Sequence, residues 1–274
     1  MKRIAQWSNR ALFGAAALAA KTWPLAARIF PETLEIDDNQ SLWVAQTPDY
    51  RPNPPLQKPI DCDLAIIGGG FTGVSTAYHF SRRYPEKRVV LLEAKTLANG
   101  ASGRNGGMLL NWVTDPLAYS SDEMVQRIYQ TTHAGIQTIL DIIKRHELNV
   151  SHRVDGTVHL ITHPDRVEAA QEEAAYYNSL GIPVQFLEGD ALKPYIELDG
   201  VYAAMIDPNS GQLNGAQLVR ELRPVLEAQG VEIYEQTPVI RIEEGREIIL
   251  YTPQAEVRAK AIVLATNGYT GKLG

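Results

Sequence analysis

Cysteine is almost absent from this sequence, whose 274 residues include only Cys62. One thiol cannot form an intrachain disulfide, so the class of small disulfide-stabilised secreted domains is excluded. This cysteine usage indicates a reducing compartment, and we expect a cytoplasmic location. Cys62 precedes an apolar run and is interpreted as a packing residue rather than a nucleophile. No metal site is predicted, because His146 and His152 have no third ligand at suitable spacing.

The sequence also lacks an excess of positive charge and a long apolar segment. Lys and Arg total 26 against 32 Asp and Glu, a formal net charge of −6, which argues against a nucleic-acid partner. The apolar stretch at residues 11–20 is too short to span a bilayer. For residues 1–30 three alternatives stay open: a structural or poorly ordered helix, weak contact with a membrane surface, and a cleaved signal peptide.

Regular helix and central strand are excluded from residues 48–59, because prolines recur there. These are Pro48, Pro52, Pro54, Pro55 and Pro59. Residues 1–60 are therefore predicted to form an N-terminal helix followed by a proline-rich lead-in. Within this region Trp43 belongs to the short segment Ser41–Val44 and is interpreted as a residue that packs on the domain surface.

The sequence does contain a strand–turn–helix–strand pattern over Asp63–Glu93. Leu64–Ile67 and Val89–Leu92 are short apolar runs, typical of strands buried on both faces. Between them lies the pattern G-x-G-x-x-G, followed by apolar residues at helical spacing. Its glycines are Gly68, Gly70 and Gly73. This order predicts a Rossmann-type unit that binds a dinucleotide.

Each part of this pattern has a physical reason. Gly68 allows a tight turn out of the strand, Gly70 allows a pyrophosphate to approach the backbone, and Gly73 allows close helix–sheet packing. The helix N-terminus offers N–H groups and partial positive charge to the phosphates. Glu93 can accept hydrogen bonds from ribose hydroxyls, and its charge disfavours the 2′-phosphate of NADP. The pattern alone does not separate FAD from NAD.

A second glycine-rich stretch, Gly100–Met108, follows this unit. Its glycines can bring several backbone N–H groups to one anion or ring edge. Arg104 can neutralise a phosphate or a reduced flavin ring. The alternative is a flexible surface loop, which the position directly after a nucleotide-binding unit argues against.

The segments IIGGGFTGVSTAYH, LLEA and GASGRNGGM together resemble the D-amino-acid oxidase superfamily of FAD-dependent oxidoreductases. They look most similar to its branch of glycine/sarcosine oxidases and gamma-glutamylputrescine oxidase-like enzymes. The resemblance implies an α/β fold, with a Rossmann-type FAD-binding domain built on a parallel sheet plus an inserted α+β substrate domain. It places the FAD-binding domain at residues 61–118 and 200–274, and part of the substrate domain at residues 119–199.

The resemblance also implies which residues contact FAD. It assigns the first glycines to the pyrophosphate, Glu93 to the adenosine ribose, the second glycine-rich stretch to the pyrophosphate and the flavin edge, and the backbone of Val239 to the adenine. The implied set is Gly68, Gly70, Phe71, Thr72, Gly73, Glu93, Ala94, Ala101, Ser102, Arg104, Asn105, Gly106, Gly107, Met108, Val239, Ala265, Thr266 and Asn267.

Several local patterns predict structure in the rest of the chain. Ser120 and Glu123 form a capping-box pattern that predicts the start of a long helix. Asp155-Gly156 predicts the turn of a hairpin between two short strands. His159 lies in the second of these strands and is either a substrate-binding or a structural residue, with the structural interpretation preferred. Ala261–Ala265 is predicted to be a fully buried strand.

The resemblance implies oxidation of a small-molecule primary or secondary amine or amino acid by hydride transfer to flavin N5. This chemistry belongs to the cofactor and needs no protein nucleophile, so no catalytic residue is predicted. One alternative is a NAD-dependent dehydrogenase, which would not need the loop Gly100–Met108. Another is a truncated, non-catalytic chain, or one subunit whose partner chain supplies the missing C-terminal part, because members of the family continue beyond the position of Gly274.

Overall fold

A computed structural model describes residues 41–111 and 121–272 of the chain. The chain divides into two units, Met1–Gln40 and Ser41–Gly274, and every described residue belongs to the second. The helix and membrane contact predicted for residues 1–30 lie outside the described residues. The helices are α1 Leu42–Ala45, α2 Phe71–Arg83, α3 Asp122–Arg145, α4 Val167–Ser179 and α5 Gly215–Ala228. Within the described ranges, none is long and apolar enough to cross a membrane.

The largest sheet contains six strands in the order β10-β11-β12-β1-β2-β9. The four strands β12, β1, β2 and β9 are parallel neighbours, and β11 and β10 extend them as an antiparallel pair. This sheet confirms the predicted α/β fold. The strands are β1 Ile60–Ile67, β2 Val89–Leu92, β3 Met108–Leu109, β4 His152–Arg153, β5 Thr157–Ile161, β6 Gln185–Glu188, β7 Ala203–Asp207, β8 Gly211–Leu213, β9 Val231–Tyr234, β10 Arg241–Glu243, β11 Ile248–Tyr251 and β12 Glu256–Leu264.

The core lies on both faces of β1, whose side chains alternate between two clusters as the strand period requires. Leu64 and Ile66 face the cluster that contains the apolar sides of α2 and α5. Ala65 and Ile67 face a second cluster with β11 and β12. Because β1 is enclosed on both faces, its carboxyl end and the loop that follows it have a fixed position.

Two three-stranded sheets complete the described structure. One has the order β3-β8-β4 and the other β5-β7-β6, all antiparallel. The hairpin predicted around Asp155-Gly156 is wrong, because β4 and β5 pair with different partners in different sheets. Gly156 has a φ of +97°, and its N–H donates to the Ser210 carbonyl, so the turn redirects the chain from one sheet to the other.

Two further expectations need correction. The N-cap of α3 is Ser121, whose Oγ accepts from the Met124 N–H at 3.3 Å, so the capping-box prediction that started at Ser120 is wrong by one residue. The segment Ala261–Ala265 is not fully buried, because Leu264 is 45% exposed. Residues 261–264 belong to the strand β12, Ala265 follows it, and β11 pairs with residues 256–259 of that strand.

Candidate functional site

The first glycine loop, residues 68–73, leads from β1 into α2 and includes the first three residues of that helix. Gly68 has a φ of +111°, and a Cβ there would lie 2.5 Å from the carbonyl oxygen of Ala265. A Cβ on Gly73 would lie 1.8 Å from the carbonyl oxygen of Gly68. Both approaches are to backbone atoms, which cannot move aside. The structure therefore has the tight turn and the close helix packing that the sequence predicts.

Glu93 connects this loop to the loop that follows β2. Its Oε2 accepts from the Gly69 N–H at 2.7 Å, and its Oε1 accepts from the Lys95 N–H at 2.9 Å. Burial raises the pKa of the Glu93 carboxyl above its ordinary value, although these hydrogen bonds act in the opposite direction. The carboxylate is thus held in a partly desolvated position at the end of the strand.

Gly69 is a site residue that the G-x-G-x-x-G pattern does not include. A Cβ there would lie 2.4 Å from Cδ2 of Leu97 and 3.2 Å from Cβ of Glu93. A glycine at this position lets Glu93 and the loop after β2 lie against the first glycine loop. The signal in the sequence is the run of three consecutive glycines at residues 68–70.

The two glycine loops meet at Ser102. Its Oγ accepts from the Phe71 N–H at 2.8 Å, in the first turn of α2. The same Oγ lies 2.7 Å from where a Cβ on Gly70 would be. Gly70 is the N-cap of α2 and has no side chain to cap the helix, so Ser102 accepts one of the N-terminal N–H groups in its place.

Asn105 folds the second glycine loop, residues 100–107, onto itself. Its Nδ2 donates to the carbonyls of Ala101 at 3.1 Å and Ser102 at 2.9 Å. Its Oδ1 accepts from the Gly107 N–H at 2.8 Å. Three bonds from one side chain favour a loop of fixed shape over the flexible alternative.

Arg104 and Met108 lie on the exposed side of the same loop. Nε of Arg104 donates to the carbonyl of Asn99 at 2.8 Å. Met108 begins β3, pairs with Gln212 of β8 and is 66% exposed. An apolar groove of about 770 Å³ runs beside this loop, between α2, α3 and α5.

Trp43 holds the second glycine loop from outside the Rossmann unit. Its Nε1 donates to the carbonyl of Asn105 at 2.6 Å. Its ring lies against Gly107, where a Cβ would be 2.9 Å from Cζ2. The interpretation of Trp43 as a packing residue is therefore incomplete, since the indole also donates a hydrogen bond to the candidate site. The sequence pattern contained no signal for this contact.

The loop after β12 reaches the same edge of the sheet. The Ala265 N–H donates to the carbonyl of Ile67 at 2.8 Å, and Asn267 has a φ of +49°. The Thr266 hydroxyl bonds the Thr270 hydroxyl at 2.8 Å. Val239 differs from these residues, because its side chain is buried in the second core cluster. Thr72, Ala94 and Ala101 are exposed.

Other candidate residues do not join the site. His159 is exposed on β5. Cys62 is buried, and burial raises the pKa of its thiol to about 12, which confirms the packing interpretation. Asn214 is the N-cap of α5, where its side chain accepts from the Gln217 N–H at 3.0 Å. Among the residues that the structure describes, no cluster of His, Cys, Asp or Glu could hold a metal ion.

The model of the FAD dependent oxidoreductase family, DAO, matches residues 63–274. This range includes both glycine loops, the loop after β2 and the loop after β12. The chain belongs to this family. FAD is therefore the cofactor that its sequence pattern indicates, and the NAD-dependent alternative is not supported.

Individual relatives agree with this assignment. The chain is 26% identical over 246 residues to gamma-glutamylputrescine oxidoreductase of Escherichia coli (strain K12), covering 86% of this chain and 56% of that protein. Glycine oxidase from Geobacillus kaustophilus superposes with a TM-score of 0.67 at 25% identity, covering 78% of this chain and 57% of the oxidase. L-amino acid deaminase from Proteus myxofaciens shares the fold, with a TM-score of 0.66 at 22% identity over 81% of this chain and 48% of the deaminase. The chain thus spans about half the length of these proteins.

Proposed function

We propose that this chain forms the FAD-binding part of an oxidoreductase that acts on a primary or secondary amine or an amino acid. The observation that carries the proposal is the meeting of the two glycine loops, Glu93 and the loop after β12 at the carboxyl ends of β1, β2 and β12. In open parallel sheets this edge is where ligands bind. The names of the relatives support the substrate class, since glycine is an amino acid and gamma-glutamylputrescine carries an amino group.

The residues present fit FAD. At positions 68, 69 and 73, a Cβ would collide with atoms of the chain itself, so the turn is as tight as the backbone allows. This turn delivers the N-terminus of α2 to the edge of the sheet, where its N–H groups suit a pyrophosphate. The partly desolvated carboxylate of Glu93 suits a pair of ribose hydroxyls.

We propose the following roles at the site. The first glycine loop and the loop after β12 contact the pyrophosphate, Glu93 and Ala94 the ribose, the backbone of Val239 the adenine, and the second glycine loop the pyrophosphate and the flavin edge. The proposed contact residues are Gly68, Gly70, Phe71, Thr72, Gly73, Glu93, Ala94, Ala101, Ser102, Arg104, Asn105, Gly106, Gly107, Met108, Val239, Ala265, Thr266 and Asn267.

FAD, when bound, supplies the redox chemistry by accepting a hydride from the substrate at N5. The residues of this chain bind the cofactor and orient it. The helix N-terminus neutralises phosphate charge, Glu93 accepts from ribose hydroxyls, and Arg104 adds positive charge beside the second glycine loop. No side chain is proposed as a general base.

We also propose a division into an FAD-binding domain and an inserted, partial substrate domain. The pairing of β7 with β5 and β6 supports assigning residues 203–207 to the inserted part, so its end would lie a few residues after position 199. The presence of a single cysteine, which fits a reducing compartment, supports a cytoplasmic location, with weak membrane contact through residues 1–30 as the alternative. Fractionation of cells that express a tagged chain separates these two locations.

The visible absorption spectrum of the purified chain tests the function. We expect the two absorption bands of a flavin and release of FAD on heating. Anaerobic addition of small amines and amino acids, including glycine and gamma-glutamylputrescine, should then bleach the bound flavin. A protein that stays colourless with added FAD would contradict the proposal for this chain alone. Recovery of flavin binding with an added partner chain would then support the split-site alternative.

A further inference from the structure

The segment Ser41–Leu56, called here the strap, lies outside the residues that match the family, which begin at residue 63. We propose that the strap positions both ends of the FAD site, with Trp43 fixing the second glycine loop and Tyr50 fixing the ribose side through Glu235. This inference rests on the proposed function. Trp43 and Tyr50 are positioning residues, because they act through other residues rather than on the cofactor.

The first anchor of the strap is the second glycine loop. The Ser41 hydroxyl donates to the carbonyl of Gly103, and the Trp43 indole donates to the carbonyl of Asn105 at 2.6 Å. Asn105 already folds the loop through its own side chain, so a bond to its carbonyl fixes the loop as a unit. The Trp43 ring also closes the space beside Gly107.

Helix α5 supports the middle of the strap. The Asn214 side chain, which caps α5, donates to Oε1 of Gln46 at 2.7 Å. The Arg220 guanidinium donates to the hydroxyl of Thr47 and, at 3.1 Å, to the carbonyl of Leu97. One buried arginine therefore joins the strap to the loop that follows Glu93.

The second anchor is Glu235, which is 0% exposed and follows β9. Its Oε2 accepts from the Tyr50 hydroxyl at 2.8 Å and the Asn53 N–H at 2.7 Å, both in the strap. Its Oε1 accepts from the Leu97 N–H at 2.7 Å. Glu235 thus connects Tyr50 to Leu97 through its two carboxylate oxygens, so a shift of Tyr50 would move Leu97.

Leu97 completes the path to the cofactor site. Its Cδ2 lies 2.4 Å from where a Cβ on Gly69 would be, so its side chain packs directly against the first glycine loop. The Gly69 N–H in turn donates to Glu93, the proposed ribose ligand. A shift of Tyr50 therefore reaches Glu93 through Glu235 and Leu97, each step being a hydrogen bond or a direct contact.

The surroundings of Tyr50 keep its hydroxyl protonated, so that it can donate to Glu235. Two guanidiniums lie over its ring, with Cζ of Arg220 at 4.2 Å and Cζ of Arg223 at 4.7 Å from the centroid, and their charge alone would lower the pKa of the hydroxyl. Burial, together with the Glu235 carboxylate, raises the pKa of the hydroxyl, so it keeps its proton and donates at every physiological pH. Arg223 Nη1 lies 3.7 Å from Oε2 of Glu235 and balances the buried charge.

Two ligands separate the two anchors experimentally. FAD requires both ends of the site, whereas ADP lacks the flavin and occupies only the pyrophosphate and ribose end. Binding of FAD is measured by quenching of flavin fluorescence and binding of ADP by calorimetry, both on the full chain. The variants are Trp43→Phe, which removes the indole N–H donor together with the part of the ring that lies against Gly107, and Tyr50→Phe, which removes only the hydroxyl. Leu42→Ala is the matched control, because Leu42 belongs to the same helix as Trp43 and is 69% exposed.

We expect W43F to weaken FAD about 5- to 10-fold and ADP by less than about 2-fold, because ADP makes only the pyrophosphate contacts of the second glycine loop and none at its flavin edge. Y50F should weaken both ligands about 5- to 10-fold, since one oxygen of Glu235 loses a donor. The absorption bands of bound flavin should shift in W43F and not in Y50F. L42A should match the wild type throughout.

Three results would overturn parts of this account, and they are distinguishable. Variants that bind both ligands as the wild type does would refute the positioning role while leaving the proposed function intact. Equal weakening of both ligands in W43F and Y50F, in proportion to a loss of unfolding free energy in urea, would show that the strap is only structural. A wild-type chain that binds neither ligand would refute the proposed function and this inference with it.

Discussion

The two glycine loops occupy the same edge of the molecule but are held in different ways. The first is fixed by backbone against backbone, since added atoms at Gly68 and Gly73 would meet carbonyl oxygens of Ala265 and Gly68. The second also meets backbone atoms, at Gly103 and Gly107, but it is held in addition by side-chain donors from Asn105 and Trp43. The first loop therefore cannot change shape without breaking the fold, whereas the second depends in part on single side-chain donors that a substitution can remove. The end of the site at the first loop is thus part of the sheet, whereas the position of the second loop can be changed by substitutions in the side chains that hold it.

The largest effect should come from Gly73→Ala, which tests the first loop. Its Cβ would lie 1.8 Å from the Gly68 carbonyl oxygen, so the helix must move away from the strand. We expect a loss of about 3 kcal/mol or more in the free energy of unfolding, above the usual range for overpacking, together with loss of FAD binding.

Urea denaturation measures this loss, and Gly100→Ala is the control, because nothing lies within 4 Å of an added Cβ there. The control should change stability by less than about 0.5 kcal/mol. A stable G73A protein would show that the first loop is not as tightly constrained as its geometry indicates.

Gly107→Ala applies the same change to the second loop. Gly107 has a φ of +70°, and an added Cβ would lie 2.7 Å from the Leu213 carbonyl and 2.9 Å from the Trp43 ring. Because these approaches are longer than the 1.8 Å at Gly73 and the Trp43 side chain can move aside, we expect a smaller loss of about 1–3 kcal/mol in unfolding free energy, accompanied by weaker FAD binding. A loss equal to that of G73A would remove the contrast between the two loops.

The pH dependence of FAD binding reports on Glu93. Its pKa in the FAD-free protein lies above the ordinary value of 4.5, and in the proposed complex the ribose hydroxyls would donate to the ionised form. FAD affinity should therefore fall as the pH is lowered through this raised pKa. The stability of the FAD-free protein should change in the opposite sense, because a raised carboxyl pKa favours the folded state when protonated, and that contribution is lost as the pH rises through the same window.

Glu93→Gln should weaken FAD about 10-fold or more at neutral pH and remove this pH dependence, since the charged acceptor is gone. Fluorescence titrations between pH 4.5 and pH 8 measure both effects, the lower limit being the ordinary carboxyl value. An unchanged pH profile in E93Q would assign the titration to another group.

The smallest effect is expected from Ser102→Ala, which removes the contact between the two loops. The Phe71 N–H loses its acceptor, which is equivalent to losing an N-cap, and we expect about 1 kcal/mol of destabilisation. Thr131→Ala is a control, because that hydroxyl bonds only the Arg127 carbonyl of its own exposed helix turn. Thermal unfolding compares the two, and equal losses would mean that the loops do not support each other.

The first loop was predictable because its requirements are local. The strand β2 has the bounds of its apolar run, and the two glycines at positions 68 and 73 have the tight contacts that the pattern implies. The glycines lie within one βαβ unit, whose length suits pattern reasoning, although the carbonyl that an added Cβ on Gly68 would meet belongs to the distant Ala265. The family resemblance added the cofactor, which the pattern itself left open.

The features that the sequence did not predict depend on contacts between residues far apart in the chain. The hairpin around Asp155-Gly156 failed because β4 pairs with β8, more than 50 residues later, and a turn dipeptide carries no information on such a partner. Trp43 bonds a carbonyl 62 residues away, and Tyr50 bonds a carboxylate 185 residues away. No periodicity or spacing rule connects residues at those separations.

Cys62 gives the protein a built-in reporter of its own opening. The thiol lies in β1 opposite Ala259 of β12, is 6% exposed and has its pKa raised to about 12, so an alkylating reagent finds neither access nor thiolate in the closed sheet. With a single cysteine in the sequence, each labelled molecule records one separation of these strands. Comparing the rate of Cys62 alkylation with and without FAD would thus measure how far cofactor binding slows the opening of the central sheet.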